Sequence, residues 1–176
     1  MATFGRHTIN LDLFTDAYRV SGRTQVSSGG LLSELNNANT DYLELEDAYI
    51  SRIHEPGKII ANYEEASFRK DNLNFVVLQD RREGTSMGTT HGRSIFARGQ
   101  PIEVFITVPS FEIRGEAMHD GKRTPTAILV NTLGNFQPIF KAEASASLYP
   151  DISYTGDLIL VHKGQIGIFC LISSRT

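Results

Sequence analysis

Asp41, Glu44, Glu46 and Asp47 form the densest run of acids in the chain. Paired carboxylates bind divalent cations or carry acid–base chemistry. Glu44 and Glu46 stand two apart on an expected strand, so they share a face at about 7 Å. A solvated strand face accounts for the same pattern without chemistry. The histidines, His7, His54, His91, His119 and His162, are not spaced as a zinc pair, and the single cysteine brings no thiolate cluster. His162 differs from the others only in standing beside Lys163 at an expected strand end. Cys170 falls inside the apolar run Ile166–Ile172 and reads as a small buried hydrophobe. No Gly-x-Ser-x-Gly elbow is present. The glycine-rich stretch Gly84–Gly92 lacks the lysine of a phosphate-binding loop. No catalytic residue, metal ligand or cofactor-binding residue is assigned from the sequence, and no cofactor is expected.

The one charged constellation with a partner in view is cationic. Arg81, Arg82, Arg93 and Arg98 lie in a segment rich in Gly, Ser and Thr. Such a segment folds onto a phosphate or an acidic partner, or simply keeps a connector in solution. These four arginines are the candidate partner-binding residues. Residues 83–94 are expected to be the most mobile interior segment, because small polar residues bury too little surface to offset their ordering entropy.

Charge is uneven along the chain. Residues 1–80 hold twelve acids and seven bases, residues 81–100 one acid and four bases, and residues 101–176 seven acids and six bases. A duplex-DNA binder needs a basic face, and only the short arginine segment qualifies. Hydrophobic residues make up 40% and charged residues 21%, the balance of a globular chain. One cysteine permits no intrachain disulfide, which fits a reducing, cytoplasmic setting. The first residues carry no apolar signal-peptide core, and the longest apolar run falls short of a membrane span.

The chain repeats itself. At an offset of 93 positions, Ile9, Leu11 and Leu13 meet Ile102, Val104 and Ile106, and Tyr18-Arg-Val-Ser-Gly22 meets Phe111-Glu-Ile-Arg-Gly115. Both segments alternate apolar with polar residues, the period of a half-buried strand. A glycine at the matched place in each marks a bulge or close backbone approach. The interior drifts by a residue or two: Leu35-Asn36 meets Val130-Asn131, and Tyr42–Ala48 meets Phe136–Ala142. The offset of 93 then returns, with Lys70–Leu78 on Lys163–Leu171. Each copy reads as two strands, a short helical turn, a long strand (Asp41–Ile53 in the first copy), a loop and two strands. Thr124 serves as N-cap, Pro125 as first helical residue and Gly134 as left-handed C-cap in the second copy; Asn36 ends the helical turn of the first.

The run Tyr18-Arg-Val-x-Gly22, Leu35-Asn36, Tyr42-Leu-x-Leu-x-Asp-Ala48 and Lys70-x-x-Leu73 resembles an uncharacterised family of small bacterial β-domains, a domain of unknown function. The resemblance covers most of the first copy. The second copy departs from it at Glu112, which replaces the basic residue, and at Glu143, which follows Ala142. The resemblance implies the fold unit and no chemistry. The strand order is also loosely similar to Sm-like small barrels, an analogy of fold alone.

The expected fold is therefore mainly β with short helical turns: two tandem pseudo-repeat barrel or roll units, residues 1–80 and 102–176, joined by a basic linker, 81–101. The expected core includes Val20, Leu43, Leu45, Val76, Ile113, Ile139, Ile168 and Cys170, and Tyr18 is placed on the face of Val20. The leading functional expectation is a non-catalytic interaction or assembly module with a protein partner or itself, and no membrane. The alternatives are a nucleic-acid-binding module using the arginine linker, and an enzyme whose site forms between the copies. Tight DNA binding requires about 6–10 phosphate contacts from one face, more than four clustered arginines provide. Fluorescence anisotropy with single-stranded and duplex oligonucleotides at about 0.15 M salt is expected to show no sub-micromolar binding.

Overall fold

The computed structural model describes residues 5–85 and 99–172. In chain order the elements are β1 (His7–Phe14), β2 (Tyr18–Val26), α1 (Gly30–Leu35), β3 (Tyr42–Arg52), β4 (Glu55–Arg69), a 3-10 turn (Lys70–Asn72) and β5 (Phe75–Leu78). There follow α2 (Arg81–Gly84), β6 (Gln100–Val108), β7 (Phe111–His119), α3 (Pro125–Asn131), β8 (Phe136–Ala146), β9 (Tyr149–His162), a second 3-10 turn (Lys163–Gln165) and β10 (Ile168–Leu171). No helix among the described residues is long and apolar enough to cross a membrane.

All ten strands belong to one antiparallel sheet, in the order β10-β6-β7-β8-β9-β5-β1-β2-β3-β4. This corrects the expectation of barrel units. Among the described residues no ladder joins β4 to β10, so the sheet is not closed; instead β5 pairs with β9, and the strands continue from one half of the chain into the other. The order within each half is the same: β5-β1-β2-β3-β4 in the N-terminal set and β10-β6-β7-β8-β9 in the C-terminal set.

Register matches as closely as order. Leu11 faces Gly22 and Leu13 faces Val20 across β1 and β2; Val104 faces Gly115 and Ile106 faces Ile113 across β6 and β7. The β2–β3 register shifts between Ser21 and Arg23, and the β7–β8 register between Arg114 and Glu116, at the two strand glycines. Opposite each shift a non-glycine residue takes positive φ, Asp47 at 50° and Lys141 at 45°. The glycines are needed because backbone approaches closely. A Cβ on Gly22 would stand 3.1 Å from the Glu46 carbonyl oxygen, and one on Gly115 only 2.8 Å from that of Phe140.

Each half also closes on a lysine, buried in the first half and half-buried in the second. Lys70, 6% exposed, donates from Nζ to the carbonyls of Glu34, Asn37 and Thr40 at 2.7–3.1 Å, capping the C-terminal end of α1. Lys163 Nζ donates to the Leu129 and Thr132 carbonyls at the end of α3. A cation at a helix C-terminus answers both the orphan carbonyls and the helix dipole. Burial lowers the pKa of both lysines, in Lys70 against an opposing pull from Glu34 and Asp41. The helix caps follow the sequence in part. Thr124 accepts from the Ala127 amide at 3.2 Å ahead of Pro125, and Asn36 ends α1. Gly134 has the expected positive φ but lies beyond the end of α3, where the Asn36 side chain fills the space against it.

The interior divides into two apolar clusters. Val20, Leu43, Leu45 and Val76 are buried in one, and Ile113 and Ile139 in the other. Ile168 and Cys170 are exposed, contrary to expectation, because β10 is an edge strand with β6 as its single neighbour among the described residues. Tyr18, at the mouth of β2, is exposed as well. Gly115→Ala is expected to cost about 1–3 kcal/mol by overpacking against backbone, and Gly22→Ala less, since its contacts are looser. Urea denaturation of the two variants measures the difference.

Candidate interaction site at the sheet edges

Polar side chains gather on the open face of β1, β2 and β3, around a cleft of about 480 Å³ lined by Asp12, Arg19, Ser21, Arg23, Asp47 and Tyr49 among others. Its charges cancel locally. Arg19 donates to both oxygens of Asp12 at 3.1–3.3 Å and lies over the Tyr154 ring, and the Ser21 hydroxyl donates to Asp12 at 2.5 Å. Arg23 pairs with Asp47 at 2.5 Å and lies 3.7 Å from Glu46. Both cations of the cleft are therefore engaged by acids of the same face.

Of the acids singled out from the sequence, Glu44 and Glu46 share a face as expected and line one cleft with Glu34 and Glu65. Glu44 accepts from the Ser67 hydroxyl at 2.7 Å, while Glu46 and Asp47 face Arg23. No group of three or more His, Cys, Asp or Glu among the described residues is placed to hold a metal ion. His162 ends β9, accepts from the Gly164 amide at 3.1 Å and meets Phe136 edge-on. Burial pushes its pKa below the ordinary value, against a weaker pull from Asp71.

The arginine segment begins as structure rather than linker. Asp80 caps α2 by accepting from the Arg82 amide, and its carboxylate also receives the Arg82 guanidinium at 2.6–3.0 Å, which holds Asp80 down at about 2. Arg81 forks onto Asp157 of β9 at 2.5–2.9 Å and lies over the Phe140 ring. That hydrogen bonding lowers the Asp157 pKa. Of the four candidate partner-binding residues, Arg81 thus fastens the end of β5 to β9, and Arg82 closes locally on Asp80. Arg93 and Arg98, and most of the expected mobile segment 83–94, lie outside the described residues.

What the sequence did not mark is the pair of open edges. In the middle of the sheet β5 and β9 pair in the register Phe75↔Val161, Val76↔Leu160, Val77↔Ile159 and Leu78↔Leu158. All eight side chains are buried. Val76 and Leu78 enter the N-terminal cluster, whereas Phe75 and Val77 enter the C-terminal one; Leu158 and Leu160 cross in the opposite direction. Phe75 stacks on Phe14 at 4.5 Å and meets Phe111 edge-on at 4.9 Å. The space between the halves is therefore apolar core.

At the two ends of the sheet the same kinds of strand lack that cover. On β10, Phe169 and Leu171 pack inward on the C-terminal cluster, while Ile168 is 55% exposed and Cys170 is exposed. On β4, Ala66 and Phe68 are half-buried at the rim of the N-terminal cluster, and Ile59, Ile60 and Tyr63 are exposed. An edge strand presents unpaired backbone donors and acceptors, a template for another strand. Searches against protein-family models, curated proteins and solved structures return no match for this chain.

Stability should respond to pH through His162. Because burial holds its folded pKa below the unfolded value, its contribution is complete above about pH 6.5 and falls as acid protonates the unfolded chain first. Urea midpoints measured from about pH 7.5 to about pH 5 should decline less in His162→Gln than in the natural chain.

Proposed function

We propose that this protein is a non-catalytic assembly module that binds protein through the open edges of its sheet. One observation carries the reading: Ile168 and Cys170, apolar residues in a strand whose inner counterpart is wholly buried, stand at the surface beside a strand edge that is unpaired among the described residues. Exposed apolar edge positions favour a partner strand, which satisfies the backbone and covers the side chains together. The matching order, glycine bulges and lysine caps of the two strand sets support their origin as tandem copies of one small β-unit, Sm-like in strand order. A reducing, cytoplasmic setting suits the exposed thiol of Cys170.

The nucleic-acid alternative is weakened at two of its four arginines, since Arg81 and Arg82 are committed to Asp157 and Asp80, while Arg93 and Arg98 lie outside the described residues. An enzyme site between the halves would have to occupy space that Phe14, Phe75 and Phe111 fill.

Photo-cross-linking amino acids placed singly at Ser67, Ile168 and Tyr49 test the reading in an extract of the cells that make the protein. Protein adducts are expected at Ser67 and Ile168, on the two edges, and not at Tyr49 in the cleft. Adducts confined to Tyr49, or none at either edge, would overturn it.

A further inference from the structure

We infer that the two edges fit each other: β10 of one chain pairs antiparallel with β4 of a second copy, in the register of the inner β5–β9 ladder. The inference rests on the assembly reading and names its partner. Because the two strand sets have the same order, the inner junction joins the fifth strand of one set to the fourth strand of the other. The strands left over at the ends of the sheet are again a fifth strand, β10, and a fourth strand, β4. The chain therefore carries the two halves of a junction it has already built once.

The inner register fixes the outer one. Lys70–Leu78 aligns with Lys163–Leu171 at an offset of 93, and the same offset brings Leu158–Val161 onto Glu65–Phe68. Phe75↔Val161 and Val77↔Ile159 then become Ile168↔Phe68 and Cys170↔Ala66. Inside the chain, Phe75 and Val77 leave their own set and complete the neighbour's core beside Ile159 and Val161. Across the contact, the exposed Ile168 and Cys170 would complete the N-terminal core of the next copy beside Ala66 and Phe68, which are half-buried at its rim. Both exposed apolar residues of β10 and both incompletely covered apolar residues at the matching end of β4 are used.

The outer contact is weaker than its template, and the reasons are in the same strands. Where β9 sends Leu158 and Leu160 across, β4 has Glu65 and Ser67, both exposed. Gly156, whose position lets the Leu78 carbonyl approach to 2.7 Å of a would-be Cβ, is replaced by Tyr63. The ladder has four residues on each side, as the template does, but lacks its second pair of apolar residues, and it is far smaller than a stable standard interface, so association is reversible and rises with concentration. Each copy contributes two different surfaces. Such a contact repeats head to tail and either closes into a ring or continues as a filament.

The native cysteine provides the test. Facing residues of an antiparallel ladder lie within disulfide reach, so Ala66→Cys should cross-link to Cys170 of the neighbouring copy. Mild oxidation of Ala66→Cys is expected to give a ladder of disulfide-linked oligomers. Ser67→Cys, whose side chain takes the opposite face, should not. Light scattering on the natural chain between about 1 µM and about 500 µM should show mass rising above the monomer. Ile168→Lys, at a surface position, should abolish the rise while circular dichroism and melting stay unchanged. A folded monomer over the whole range, with no ladder from Ala66→Cys, overturns the proposal. So does a Cys170–Cys170 dimer that Ala66→Cys fails to extend, because it shows β10 pairing with itself. If the purified chain is monomeric while edge cross-links in extract capture a different protein, self-pairing fails and the assembly reading stands. If neither edge captures anything, both fail.

Discussion

The β5–β9 ladder is the contact on which the rest of the sheet depends. It is four residues long, yet it joins two five-stranded sets into one sheet and two clusters into one interior. Its strength comes from exchange. Alternate side chains of each strand serve the home core and the neighbouring core, so eight apolar residues are buried where two edges would otherwise face water. A half of about 70 residues is near the lower limit for an independent core, and the exchange enlarges both cores at once.

Polar ties fix the orientation of that junction. Asn74 donates to Asp16 and to the Pro109 carbonyl, binding the start of β5 to both halves. The His162 amide donates to the Asn74 carbonyl at 3.0 Å. Arg81 and Asp157 close the other end, and the Asn135 amide donates to Asn36 Oδ1 at 2.8 Å. Gly167 stands where the N-terminal half has Asn74, so the side-chain ties of Asn74 have no counterpart at β10. The two halves share a backbone plan but differ in the side chains that decide whether a junction is permanent. That difference connects the fold to the proposed assembly role: one edge pair is locked within the chain, and among the described residues the other is left unpaired.

The backbone plan itself rests on two recurring devices. A glycine on the second strand of each set lets the third strand cross close above it, with a positive-φ residue opposite absorbing the extra turn. A lysine, buried at position 70 and half-buried at 163, then ties the 3-10 turn before the last strand to the end of the short helix. Neither helix is long enough to be stable alone. The lysine caps and packing against the sheet hold them.

The sequence by itself determined the strands, their alternation and the correspondence between halves. Period-2 patterning reports which face of a strand is apolar, and Val20, Leu43, Leu45, Val76, Ile113 and Ile139 fall in the core as their pattern requires. The paired glycines marked the bulges; the aligned lysines were only matched positions as sequence, and the fold shows them capping the helical turns. Tertiary structure alone decided which strands become neighbours. Phe75-Val-Val-Leu78 and Ile168-Phe-Cys-Leu171 look equivalent as sequence, yet the first is wholly buried and the second is half at the surface. The reason is physical: alternation encodes a side chain's face and carries no information about which strand lies beside it. Likewise Arg81 and Arg82 look free as sequence, and only the folded chain brings Asp157 to the first while Asp80, two residues away, turns its carboxylate onto the second.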